Sequence, residues 1–163
     1  LDLRLLDDYF EGAHRYHHTA PISLFYALRE GLMTIAEEGV ENRWKRHLRC
    51  HFAFVAAVEA MGMKMHVADV HRLWTLNTPC VPEGVDDLKV RKHLMQEHGI
   101  EILGGFGPLA GKVFRIGIMG PLATEANVLM FVDAFQNALM AEGFKPKASG
   151  REAAEAAFGA AIK

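Results

Sequence analysis

One charged side chain, Arg115, sits inside the apolar run Val113-Phe114-Arg115-Ile116-Gly117-Ile118-Met119. In an extended strand side chains alternate, so Val113, Arg115, Gly117 and Met119 share one face and Phe114, Ile116 and Ile118 the other. A guanidinium desolvated there without a partner would cost several kcal/mol. Gly117, its neighbour on the same face, has no side chain and leaves room. Arginine's planar fork suits a carboxylate held by two parallel hydrogen bonds. That carboxylate is either a protein side chain in a structural ion pair or a small acid ligand. A second group is Tyr16-His17-His18-Thr19-Ala20-Pro21. Thr19 suits a helix N-cap and Pro21 the first turn. A helix start flanked by a hydroxyl and a phenol is either an ordinary capped helix or a place for a phosphate.

Other constellations point less far. His14, His17 and His18 stand at spacings i, i+3 and i+4, but Thr19-Ala20-Pro21 places them ahead of a helix and no carboxylate or cysteine completes a ligand set. No metal site is expected. His47 and His51 repeat the i, i+4 spacing on an apolar stripe, which indicates core or interface packing. Gly105-Phe106-Gly107-Pro108-Leu109-Ala110 fits G-x-G-x-x-A, yet a strand follows it and Pro108 interrupts it, so a turn between strands is expected, delivering Arg115. Arg43, Lys45, Arg46 and Arg49 read as a solvated basic helix face.

These groups need elements to carry them. Helical spacing runs over 1–10, from 20 to about 38, and from 40 to 61 with a break near Gly39. In the third helix Trp44, His47, Leu48, His51, Val55, Val58 and Met61 form the expected buried stripe. Strands are expected at 63–67, 74–81 (with Pro79 forcing an edge or irregular position), 101–103 and 112–118. A helix opens at Val85-Asp86-Asp87, and Thr124 caps another from Glu125 to about Glu142. Lys145 to Gly150 reads as a linker, and 151–161 as a short alanine-rich helix, marginal alone. The order strand, strand, helix, strand, strand, helix is an α+β pattern, a small sheet with helices on one side.

The 163 residues, half of them apolar, suffice for one good core. A net charge of −2 and a pI near 6.5 argue against a nucleic-acid or anionic-membrane partner. Cys50 and Cys80 are too few for a disulfide framework and indicate a reducing compartment, the cytoplasm. Each reads as a small core residue rather than a nucleophile.

Two blocks occurring in this order carry a resemblance. Tyr16-His17-His18-Thr19-Ala20-Pro21, followed by Phe25-Tyr26-Ala27-Leu28-Arg29-Glu30 and Glu38-Gly39, is similar to the pyridoxal-phosphate-dependent alanine–glyoxylate and serine–pyruvate aminotransferases. So is the run from Gly99-Ile100-Glu101-Ile102 through Gly104-Gly105-Phe106-Gly107, Ala110-Gly111-Lys112-Val113 and Arg115-Ile116-Gly117 to Gly120. The resemblance, to class V (fold type I) enzymes, spans about residues 1–143. It implies the C-terminal small domain of that fold, a small mostly antiparallel sheet, preceded by connecting helices from the end of the large domain. Residues 1–38 would then close the large domain with its cofactor-phosphate loop, 39–143 form the small domain, and 144–163 a linker and tail helix.

The resemblance further implies that Arg115 binds the substrate carboxylate. Tyr16 and Thr19 would bind the phosphate of pyridoxal 5'-phosphate in the neighbouring subunit of a homodimer. The Schiff-base lysine is expected upstream of Leu1, for none of Lys45, Lys64, Lys89, Lys92, Lys112, Lys145, Lys147 and Lys163 stands where the family places it. The chain then carries no catalytic lysine and is expected to be inactive without its N-terminal part. The implied reaction moves an amino group from alanine or serine to glyoxylate or pyruvate. A related enzyme acting on aminophosphonates and a non-catalytic module of the same fold are the alternatives.

Overall fold

The computed structural model describes residues 3–12, 16 and 19–160. The chain divides into two compact units, residues 1–40 and 41–163.

The first unit holds two helices, α1 (Leu3–Phe10) and α2 (Ile22–Glu38). Pro21, not Thr19, is the N-cap of α2, and no side chain bonds the cap. The expectation of a threonine cap therefore fails: Pro21 starts the turn itself, its carbonyl accepting from the N–H groups of Leu24 and Phe25. No residue of α2 is buried, although Leu24, Phe25, Tyr26, Leu28 and Leu32 are all large and apolar. Gly39, at φ 81°, ends the helix by donating its N–H to the Ile35 carbonyl.

The second unit is built on α3 (Val40–Ala60), followed by β1 (Leu76–Asn77), α4 (Asp87–His98), β2 (Leu103–Gly104), β3 (Phe114–Gly117), α5 (Glu125–Ala141) and α6 (Gly150–Gly159). The sheet order is β1-β3-β2, antiparallel throughout. Leu76 faces Gly117 and Asn77 faces Ile116 on one side of β3, while Leu103 faces Arg115 and Gly104 faces Phe114 on the other. The alternation holds from 114 to 119, where Phe114, Ile116 and Ile118 are buried, Arg115 is half-buried and Gly117 and Met119 are exposed, but Val113, expected on the Arg115 face, is buried. The buried face packs on Phe54, Val58, Val132, Phe135 and Leu139 of α3 and α5, with Phe114 meeting Phe135 edge-on at 5.2 Å. This is an α+β layer with its helices against one face of a small sheet.

Three expectations change. Trp44 does not join the buried stripe of α3; it is 59% exposed, and the stripe instead begins at His47 and runs through Cys50, Phe54, Ala57 and Val58. Residues 63–67 do not form a strand but a single bridge, Met65 to Pro79. The proline has no N–H to extend a ladder, so pairing stops at two bonds, His66 N–H to the Thr78 carbonyl and Cys80 N–H to the Lys64 carbonyl, each 2.8 Å. The tail helix α6 is not isolated. Ser149 caps it, Ala154 and Phe158 are buried, and Gly150 lies so close to Met61 and Val132 that an added Cβ would meet both at 3.1 Å.

Candidate active-site elements

Arg115 occupies the middle of β3, and what holds that strand defines the site. Upstream, Gly105 to Lys112 form a closed loop. The N–H of Gly105 donates to the Val113 carbonyl at 2.9 Å, and Lys112 N–H to the Leu109 carbonyl at 3.0 Å. Gly105 admits no side chain, because a Cβ there would lie 2.0 Å from the Leu109 carbonyl oxygen. A short 3₁₀ turn, Gly107–Leu109, completes the loop, so the glycine-rich segment is a turn between strands, as the sequence implies.

The loop carries Phe106 onto Arg115: the guanidinium carbon lies 5.1 Å from the ring centroid. Among the described residues no carboxylate pairs with Arg115. Of the two partners the sequence left open, a structural ion pair is not formed within the described residues. The contact that does form sets the guanidinium over the Phe106 ring.

Downstream, α3 clamps the chain as it leaves β3. Gly120, at φ 61°, donates its N–H to Nε2 of His47 at 3.1 Å, while its carbonyl accepts from Arg46 at 2.9 Å. Arg46 also donates to the Ala123 carbonyl at 2.6 Å. His47 Nδ1–H donates to the Arg43 carbonyl at 2.7 Å, which makes it the neutral Nδ1–H tautomer. Arg46 is therefore a backbone clamp, not merely part of a solvated face. Arg49 stays exposed on that face and also donates to the Phe158 carbonyl at 2.7 Å, lying 5.3 Å from the Phe158 ring centre.

The far side of β3 is braced by β1, and β1 by His51. His51 Nδ1–H donates to the Asn77 side-chain oxygen at 2.7 Å with both residues buried. Among the described residues the Asn77 amide nitrogen has no partner. Burial lowers the His51 pKa, opposed by the Asn77 hydrogen bond. Burial also raises the Cys50 thiol, which keeps it protonated and fits a core residue.

In the first unit, Tyr16 and Thr19 are brought together, phenol against hydroxyl in a short hydrogen bond. Tyr16 is 65% exposed. One hydroxyl donates to the other, and the remaining free O–H just before a helix is a donor that fits an oxygen of a phosphate. His14, His17 and His18 lie outside the described residues. His47 and His51 are buried as the apolar stripe implies, while Phe106 and the backbone bonds of Arg46 and His47 were not foreseen; the signal for Phe106 was a large apolar side chain between two glycines, where a loop is ordinarily polar.

No family model matches the sequence. Individual relatives do. The chain is 42% identical over 125 residues to the alanine–glyoxylate aminotransferase of Callithrix jacchus, covering 76% of this chain and 30% of that protein. Among solved structures, the ureidoglycine–glyoxylate aminotransferase of Bacillus subtilis matches 98% of this chain and 41% of its own, with TM-score 0.89 and 34% identity. The pyridoxamine–pyruvate aminotransferase of Mesorhizobium loti matches 94% of this chain and 40% of its own, with TM-score 0.85 and 29% identity. The chain thus spans well under half the length of these relatives. A strand bearing an arginine against helices α3 and α5, with this order of elements and these identities, makes the chain a C-terminal part of a class V, fold-type-I aminotransferase.

Proposed function

We propose that the complete protein is a pyridoxal-phosphate-dependent transaminase that moves an amino group from a small amino acid, such as alanine or serine, to glyoxylate or pyruvate. In it, Arg115 grips the α-carboxylate of both the amino acid and the keto acid. The observation that carries this reading is a half-buried guanidinium with no carboxylate partner among the described residues, on the strand that the family resemblance marks. Pyridoxal 5'-phosphate, when bound, supplies the electron sink that lets an amino group pass between the two acids. Arg115 holds the carboxylate through two charge-assisted hydrogen bonds in one plane, which fixes where the α-carbon stands and makes proton transfer there effectively intramolecular.

Tyr16 and Thr19 would hold the phosphate, in the neighbouring subunit of a homodimer. Residues 1–38 would complete the large domain, 39–143 form the small one, and 144–163 attach to it as a tail. The free thiols of Cys50 and Cys80 fit a reducing compartment, the cytoplasm. Among the described residues no helix is long and apolar enough to cross a membrane.

The names of the relatives favour the acceptor over the donor. Alanine, ureidoglycine and pyridoxamine differ widely as donors, while glyoxylate and pyruvate are both small 2-keto acids. Arg115 reads the carboxylate those acceptors share.

Substituting Arg115→Lys keeps the charge and removes the fork. The expected result is a rise of about tenfold to a hundredfold in KM for both amino and keto substrates, from the loss of a charge-assisted hydrogen bond. Unchanged KM values would remove the carboxylate role.

A further inference from the structure

The geometry points to Phe106 as a positioning residue that presets the Arg115 guanidinium for the substrate carboxylate, an inference that rests on the reading of Arg115 above. Within this chain Phe106 is 73% exposed, so the core of the small domain does not account for a phenylalanine there. Its ring instead lies 5.1 Å from the guanidinium carbon, within reach of an attraction between the cation and the ring face.

A cation over a ring face needs no carboxylate or carbonyl acceptor, so the N–H donors of the guanidinium stay open to the two parallel hydrogen bonds of a carboxylate. A free arginine samples many rotamers, and holding one before the acid arrives removes that ordering loss from binding.

The loop is built to keep the ring in place. Gly105 closes against the Leu109 carbonyl oxygen, where a Cβ would stand at 2.0 Å. The Phe106 carbonyl accepts from Leu109 N–H at 3.1 Å, and the Gly107 carbonyl from Ala110 N–H at 3.1 Å. Gly107 takes φ 55° immediately after the phenylalanine. Phe106 therefore stands on a rigid arm rather than a loose loop.

The test compares Phe106→Leu, Phe106→Tyr and Arg115→Lys in the complete enzyme, reading KM for alanine, KM for glyoxylate, kcat, and the ring-current shift of the Arg115 side-chain protons by NMR. In Phe106→Leu both KM values are expected to rise about threefold to tenfold, kcat to stay near that of the parent, and the ring-current shift to vanish. In Phe106→Tyr, which keeps the aromatic face, all readouts should stay near the parent. Parental KM values in Phe106→Leu, while Arg115→Lys raises them, would overturn the role of Phe106 and leave the carboxylate grip standing. Parental KM values in both Phe106→Leu and Arg115→Lys would overturn both readings. A Phe106→Tyr enzyme as weak as Phe106→Leu would also overturn the inference, since the aromatic face would then not be what matters.

Discussion

At the scale of single residues, polar side chains such as Arg46, His47 and His51 brace the second unit. His51 is the clearest titratable case. Burial lowers its pKa from 6.5, so the unfolded chain binds the proton more readily than the folded one. Stability is therefore full above the unfolded value, begins to fall as pH drops through about 6.5, and stops falling below the depressed folded value. Denaturant unfolding at pH 7.5 and 5.5 should show the loss, and His51→Gln should flatten it; an identical pH dependence in the variant would place the effect elsewhere. His47→Leu leaves the Gly120 N–H without its acceptor and should lower stability by about 1–3 kcal/mol, measurable in the same unfolding series. Arg115 was legible in the sequence because a charge in an apolar alternation has few explanations. Arg46 and His47 were not, because their partners are backbone groups of a turn about 73 residues away, a contact that leaves no periodic trace.

At the scale of elements, the helices were read well and the strands coarsely. α5 begins where Thr124 can accept from Asn127 N–H, and α4 follows Asp86, which accepts from Leu88 and Lys89; caps such as these are local and visible in a sequence. Strand extents depend on the neighbour, and Pro79 shows why. Its carbonyl accepts from Phe114 N–H at 3.0 Å, but it returns no N–H, so the ladder beside β3 is divided into Leu76–Asn77 and a separate Cys80 to Val113 bridge. The Thr19 cap failed for a related reason: Pro21 itself carries the entry into α2. The loop between β2 and β3 yields its own prediction. Gly105→Ala forces the Leu109 backbone away from a 2.0 Å collision, should destabilise the unit by about 1–3 kcal/mol, and should carry Phe106 off Arg115. A parental melting profile with an intact ring-current shift would mean that the loop is softer than its hydrogen bonds indicate.

At the scale of the whole molecule, the chain is two compact units, and the first keeps an apolar helix uncovered. Leu24, Phe25, Tyr26, Leu28 and Leu32 of α2 stand exposed, and clustered apolar side chains of this kind mark an interaction surface. Expressed alone, the chain should self-associate, and sedimentation should show species above 18.1 kDa; a stable monomer would favour the non-catalytic module instead. The family was legible from two sequence blocks, one leading into α2 and one spanning the loop and strand that carry Arg115. What those blocks do together was not, since it depends on parts of the enzyme beyond this chain. The most direct measurement crosses ligand with residue: alanine against alaninamide, in the complete parent enzyme and in its Arg115→Gln variant. The grip predicts that the parent favours alanine strongly in kcat/KM and that the variant loses most of that preference, because the carboxylate then has no fork to meet. Equal preference in the two enzymes would contradict it, and Arg115 would be a structural cation on the small domain.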